Sequence, residues 1–234
     1  MAIQPFLAMT AAEIRGNTSL PHRMAWMACH FSPYGLGLSN LPRELPPGSL
    51  LMVDDITPIR NHDPQIILDQ LTDCVEALKC CGVLLDFQRP DCRETAVLAD
   101  FLSQALPCPT AVSHHYSRDG DHPVFLPPVP PSEPPEDWFT PWRGRDIWLE
   151  LALDAVEVTV TEAGHSFLSL PSAAPSEPEF FDETLLCRYH SDVQKEAVRF
   201  TLRRSPEDLE RFLCEAEKYG VTRAVGLYQE FSGL

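Results

Sequence analysis

Apolar runs that stop abruptly in polar residues recur along this chain, and stretches of helical periodicity separate several of them. Met24–Phe31 (MAWMACHF) ends in His30 and a loop over Ser32–Gly37. Ser49–Val53 runs into Asp54-Asp55, and Cys81–Leu85 runs into Asp86, Phe87, Gln88, Arg89 and Pro90. Short unbroken apolar runs of this kind predict strands buried on both faces, as in parallel sheets. Between them, Asp63 as N-cap and Pro64 at the first helical position open a helix with Ile66, Ile67, Leu71, Val75 and Leu78 on one face. Cys92–Leu106 repeats the pattern with Val97, Leu98, Phe101, Leu102 and Ala105.

Further along, Thr110–Ser113 predicts a short strand tipped by His114, His115 and Tyr116, followed by a loop over Ser117–Asp121 and another short strand at Pro123–Leu126. The proline-dense segment 127–135 predicts a stiff extended connection. Glu136–Trp142 reads as a helical turn and Asp146–Leu153 as a strand carrying Glu150. Val156–Thr161 and Ser166–Leu170 flank Ala163-Gly164 as a β-hairpin, and 171–179 reads as a linker. Thr184–Tyr189 and Ala197–Leu202 read as strands. A helix over Pro206–Tyr219 with Ser205 as N-cap and Gly220 as C-cap leads to a last strand at Val221–Tyr228.

Strands alternating with helices, with polar residues after the apolar part of each strand, predict an α/β fold: an irregular or trimmed (β/α) TIM-like barrel with parallel strands and an inserted β-hairpin. Residues 1–23 read as a lead-in segment and 24–234 as a single barrel domain. The alternative, an open doubly wound sheet, lacks a glycine-rich loop after its first strand, so no dinucleotide is expected, nor any other cofactor.

Composition narrows the functional classes. The 234 residues carry 34 acidic against 18 basic side chains, a net charge of −16 that argues against nucleic acid or an anionic membrane as partner. Neither a signal sequence nor a membrane-spanning run is apparent, which predicts a soluble, cytoplasmic protein. The eight cysteines form no CxxC pair and read as buried thiols of a reducing compartment, and no metal site is expected from their spacing. Oligomeric state is left open.

Candidate chemistry gathers at the strand ends, where ligands bind in parallel α/β folds. Asp86 either pairs with Arg89 or acts on a ligand. Of the adjacent Asp54 and Asp55, only one can face a barrel mouth, because neighbours on a strand point to opposite sides. Glu150, in an apolar strand after Trp148-Leu149, has a raised pKa if buried and is then a candidate general acid; otherwise it is an outward residue. His30, His114 and His115 are hydrogen-bonded loop residues or ligands, with no metal-binding pattern among them. Tyr34, Tyr116, Trp148 and Tyr228 are available to line or stack on a ligand, as are Trp138 and Trp142, and Glu230 lies just past the last strand.

The stretch Gly82–Gln88, GVLLDFQ, resembles the strand motif of glycoside hydrolase family 18, the chitinase-like barrels, written DGxDxDxE. Gly82 falls on the motif glycine, Asp86 on its last aspartate, Phe87 on the aromatic position and Gln88 on the catalytic glutamate. Cys81 and Leu84 stand where the first two aspartates belong, and counting from Met24 puts the stretch on the third strand, where the family carries it on the fourth. The resemblance implies an aspartate that orients the substrate acetamido group, which itself acts as nucleophile, beside a residue that protonates the leaving oxygen. An amide has no such proton to give, but it can donate and accept hydrogen bonds. The expected function is a carbohydrate-binding, glycoside hydrolase-like barrel with impaired or absent hydrolysis: Asp86, Glu150 and Asp55 as candidate catalytic groups, and Gln88, His30, Tyr34, His114, Tyr116, Trp148 and Tyr228 around a small-molecule or oligosaccharide ligand. Two alternatives stay open, a metal-assisted hydrolase using Asp54 or Asp55 with Asp86, His114 and Glu150, and a non-catalytic interaction scaffold that uses the proline segment.

Overall fold

The computed structural model describes residues 3, 5–59, 62–89, 92–117, 121–171 and 173–232. Pro90 and the centre of the loop expected over Ser117–Asp121 lie outside them. In chain order the elements are β1 (Phe6–Met9), α1 (Ala11–Gly16), β2 (Met24–Phe31), β3 (Leu38–Ser39), β4 (Leu50–Asp54), α2 (Pro64–Leu78), β5 (Gly82–Asp86), α3 (Arg93–Ala105), β6 (Thr110–Ser113), β7 (Val124–Leu126), α4 (Pro135–Phe139) and β8 (Ile147–Leu151). Then come β9 (Ala155–Thr161), β10 (Gly164–Leu170), β11 (Phe180–Asp182), β12 (Cys187–Val193), β13 (Ala197–Arg203), α5 (Pro206–Glu217), β14 (Val221–Leu227) and α6 (Tyr228–Phe231).

Eight parallel strands close a barrel in the order β1, β2, β4, β5, β6, β7, β8, β14 and back to β1. The short β3 pairs antiparallel with β2. Closure rests on a strand inside the segment expected to be a lead-in: Leu7 pairs with Met24 on one side and Gly226 on the other. Four residues between Pro5 and Thr10 are too short a run to stand out in a hydropathy pattern. Finding them makes β5, with its Gly82–Asp86 motif, the fourth barrel strand and not the third.

The barrel is irregular in its helices. Parallel neighbours joined by a helix need a crossover of about a dozen residues or more, and the stretch 114–123 between β6 and β7 is shorter than that, its described residues holding a 3-10 turn at His114–Tyr116. Where helices do form, the local signals are conventional. Asp63 accepts the Gln65 N–H at 2.9 Å to cap α2, and Asp208 accepts both the backbone N–H (3.0 Å) and the hydroxyl (2.6 Å) of Ser205 to start α5. Gly220, at φ 100°, ends the turn after α5 where a Cβ would lie 2.7 Å from the Arg145 carbonyl, so only glycine fits.

The expected hairpin β9–β10 is present, as part of a larger insertion between β8 and α5. Five antiparallel strands run in the order β10, β9, β13, β12, β11. The proline segment 127–135 runs beneath this sheet as an internal strut. Val129, Pro131 and Pro135 are buried, and buried Arg204 donates to the carbonyls of Val129, Leu185 (3.0 Å) and Leu186 (3.2 Å). Three apolar layers complete the packing. One, with Ile67, Leu71, Leu98 and Leu102, lies under α2 and α3. A second, with Leu149, Leu209, Phe212 and Leu213, lies under α5. The third fills the barrel itself with Phe6, Ala8, Ala25, Leu50, Met52, Leu84, Ala111, Phe125, Trp148 and Val225.

Candidate functional site

Alternation along the barrel strands decides which polar tips share the mouth. Leu50 and Met52 of β4, Leu84 of β5 and Trp148 of β8 face the interior, so the residues two further on, Asp54, Asp86 and Glu150, point inward one layer higher. Asp54 and Asp86 are direct partners across β4 and β5, which sets their backbones about 4.8 Å apart. His30 of β2 pairs with Asp54 on the other side and donates Nδ1–H to the Ala28 carbonyl at 3.2 Å.

Burial and mutual proximity hold these carboxyls protonated to unusually high pH. Asp86 is pushed up to about 6, first by burial and then by Asp54 and Asp55, against the Gln88 hydrogen bond that pulls it down. Glu150 is pushed up to about 7 by burial, with Asp86, Asp154 and Glu230 adding to it. Asp54 also rises, through burial, although the Ile56 N–H and His30 oppose this. A carboxyl near 7 is partly protonated at neutral pH, the condition a general acid needs.

Gln88 sits just past the tip of β5 and donates its side-chain amide to the Asp86 carboxylate. Its place is fixed by Asp55, only 2% exposed, which accepts the backbone N–H of Gln88 at 2.9 Å and of Arg89 at 3.1 Å. Asp55 therefore braces the loop, and Asp54 is the acid of the pair that faces the interior. The sequence held the deciding signal: Asp54 shares the strand parity of Leu50 and Met52, as Asp86 shares that of Leu84. Glu230 was singled out in the sequence as an acid just past the last strand, whereas Asp154 was not among the candidate groups. They flank Glu150 from outside the barrel strands, and Glu230 accepts the Leu153 N–H at 3.0 Å.

The remaining candidates lie elsewhere. Tyr116 is a brace of the same loop, its hydroxyl bonded to the Arg89 carbonyl and accepting the Cys92 N–H at 3.3 Å. Tyr34 is 99% exposed. His114 lies with its ring 3.9 Å from that of His115, tilted by 38°, and lines a groove of about 280 Å³ with Trp138 and Trp142 of the α4 region, whose lining includes none of the inward acids. Tyr228, half-buried, donates to Asn17 at 3.0 Å and ties α6 to the end of α1. Trp148 is wholly buried with the Arg223 guanidinium 4.3 Å above its ring, and its indole N–H has no hydrogen-bond partner among the described residues. It shares Glu150's face but sits about 6.6 Å deeper, so it packs the barrel and does not line the mouth. Among the described residues no three His, Cys, Asp or Glu side chains are gathered as metal ligands, and no helix is long and apolar enough to cross a membrane.

No family model and no curated protein sequence matches this chain. Solved structures do. A chitinase from Chromobacterium violaceum superposes with a TM-score of 0.57 at 11% identity, over 97% of this chain and 95% of that one. The chitinase-like agglutinin of Robinia pseudoacacia gives 0.53 at 11%, over 94% and 93%. A class V chitinase from Nicotiana tobaccum, a Glu-to-Gln mutant in complex with NAG4, gives 0.57 at 10%, over 97% and 93%. The chain shares the barrel fold of these chitinases and of the chitinase-like agglutinin.

Proposed function

We propose, for a barrel of this fold, that the mouth binds an oligosaccharide of amino sugars and does not hydrolyse it efficiently. The observation that carries the reading is the pair at the tip of the fourth strand, where Gln88 takes the place the resemblance gives to the acid and bonds to Asp86. Asp86 orients the ligand, and Gln88 offers it an amide donor and acceptor without a transferable proton. Two structural neighbours agree in kind: one is a chitinase-like agglutinin, and the other, a Glu-to-Gln mutant chitinase, holds NAG4.

The test is calorimetric titration of chitotetraose into the wild-type chain and into Gln88→Glu, with product analysis on both. Binding by the wild type, and cleavage gained by the variant, is the expected result. An absence of binding by either form sinks the proposal. A second reading rests on Glu150, whose carboxyl near 7 gives the mouth a residual acid. Slow wild-type cleavage abolished by Glu150→Gln would favour it.

A further inference from the structure

The inserted sheet has one face that the described residues cover only at its root. Register across the five strands puts Phe167, Val158 and Phe200 on this face. Ser191, Tyr189, Leu202 and Phe180 share it, and so do Val160 and Val193 by alternation. At the root of the sheet, Ser132 and Leu185 close over Leu202, leaving a groove of about 440 Å³. Toward the tip the face is open, with Phe167 at 59% and Val193 at 76% exposure.

Its chemistry is one-sided. Glu157, Arg199, Arg203, Arg188 and Asp192 all belong to the opposite face, where Arg203 pairs with Glu179 at 2.7 Å. The one charged strand residue on the apolar face is Asp182, at a corner, and its carboxylate is taken up by the N–H groups of Thr184 (2.8 Å) and Leu185 (2.9 Å). An antiparallel sheet with one apolar side normally packs that side on a second layer.

We propose that the second layer is the same sheet of a second copy, packed face to face about a two-fold axis. Two chains of net charge −16 repel, so self-association calls for a patch nearly free of that charge, and this is such a patch. Four strands of seven residues and the three-residue β11, at about 4.8 Å between strands and about 3.4 Å per residue, give a flat footprint of about 510 Å². Relief from protruding side chains brings this toward the roughly 800 Å² per partner of a stable interface. The aromatic ladder Phe180–Tyr189–Phe200, with ring centroids 5.6 and 6.4 Å apart, supplies the large rigid side chains on which such interfaces depend.

Sedimentation equilibrium of the full chain tests this, alongside Phe167→Glu and Val193→Glu. Both positions are exposed, so both variants should fold, and matching circular dichroism checks it. The expected result is a wild-type dimer whose dissociation constant rises by about tenfold or more in each variant. A wild-type chain that stays monomeric at its highest soluble concentration overturns the proposal. So does a dimer that both substitutions leave unchanged, because it would then use another face or the free edges at β10 and β11. A monomer that takes up chitotetraose on this face, and loses it in Phe167→Glu, assigns the face to sugar and also overturns it.

Discussion

The floor and the mouth of the barrel are built on the same strands, one side-chain layer apart, and they treat charge in opposite ways. At the floor the Arg223 guanidinium lies over Trp148 and donates to the Cys81 carbonyl at 3.1 Å. A Cβ on Gly82 would come within 2.8 Å of the Pro109 carbonyl and the Trp148 ring. The Arg223 cation is met there by a ring face and a carbonyl, and the space around Gly82 is full. At the mouth, Asp54, Asp86 and Glu150 face inward together, their carboxyls raised by burial and by neighbouring acids. An arrangement that costs stability in the empty protein is the kind that binding chemistry retains, whereas the glycine at the start of the motif is explained by packing alone.

Three substitutions test the contrast. The largest effect is expected at the floor: Gly82→Ala forces a methyl group against backbone and an indole, and should cost about 3 kcal/mol in urea unfolding. At the mouth, Glu150→Gln should do the reverse. With an unfolded pKa of about 4.3, Glu150 keeps its proton in the folded state up to about pH 7, so wild-type stability falls as pH rises from the lower value through the higher. The variant should therefore be more stable by about 1–3 kcal/mol at about pH 8 and indistinguishable at about pH 4. A stability difference independent of pH would show that Glu150 acts through packing. Smallest of all, Tyr34→Ala should change stability by less than about 0.5 kcal/mol, since its side chain stands in solvent. A loss of chitotetraose affinity in that variant, read by titration, would show that the loop after β2 reaches the ligand.

Much of this was legible along the chain, because long apolar runs and helical periodicity announce β2, β4, β5, α2 and α3. What escaped were elements set by tertiary closure. The strand at Phe6–Met9 carries only four residues, and its partners lie far off at Met24–Trp26 and Val225–Leu227. Missing it moved the motif strand by one place. The T-x-x-E capping box that starts α1, with the Glu13 N–H on Thr10 at 3.2 Å, was a local signal within the same overlooked segment. Around the site, Asp86 and Glu150 follow from position and parity, but depth does not. Trp148 and Glu150 share a face, and only the closed barrel shows that one is floor and the other mouth. The expected hairpin and the strands expected at Thr184–Tyr189 and Ala197–Leu202 join in one sheet, whose fifth strand, β11, and the start of β12 at Cys187 are set by pairing partners more than by their own hydropathy.

Arg204 fixes how the insertion and the barrel behave under stress. One guanidinium gathers carbonyls from residues 129–130 and 185–186 while resting 4.5 Å over Phe212 of α5. Burial lowers its pKa to about 10, which still leaves it ionised at neutral pH. A buried cation shared among three segments opposes any loosening that would strand it without acceptors. The inserted sheet and the barrel wall beneath it should accordingly melt as a single cooperative unit, so heat or denaturant would give one transition.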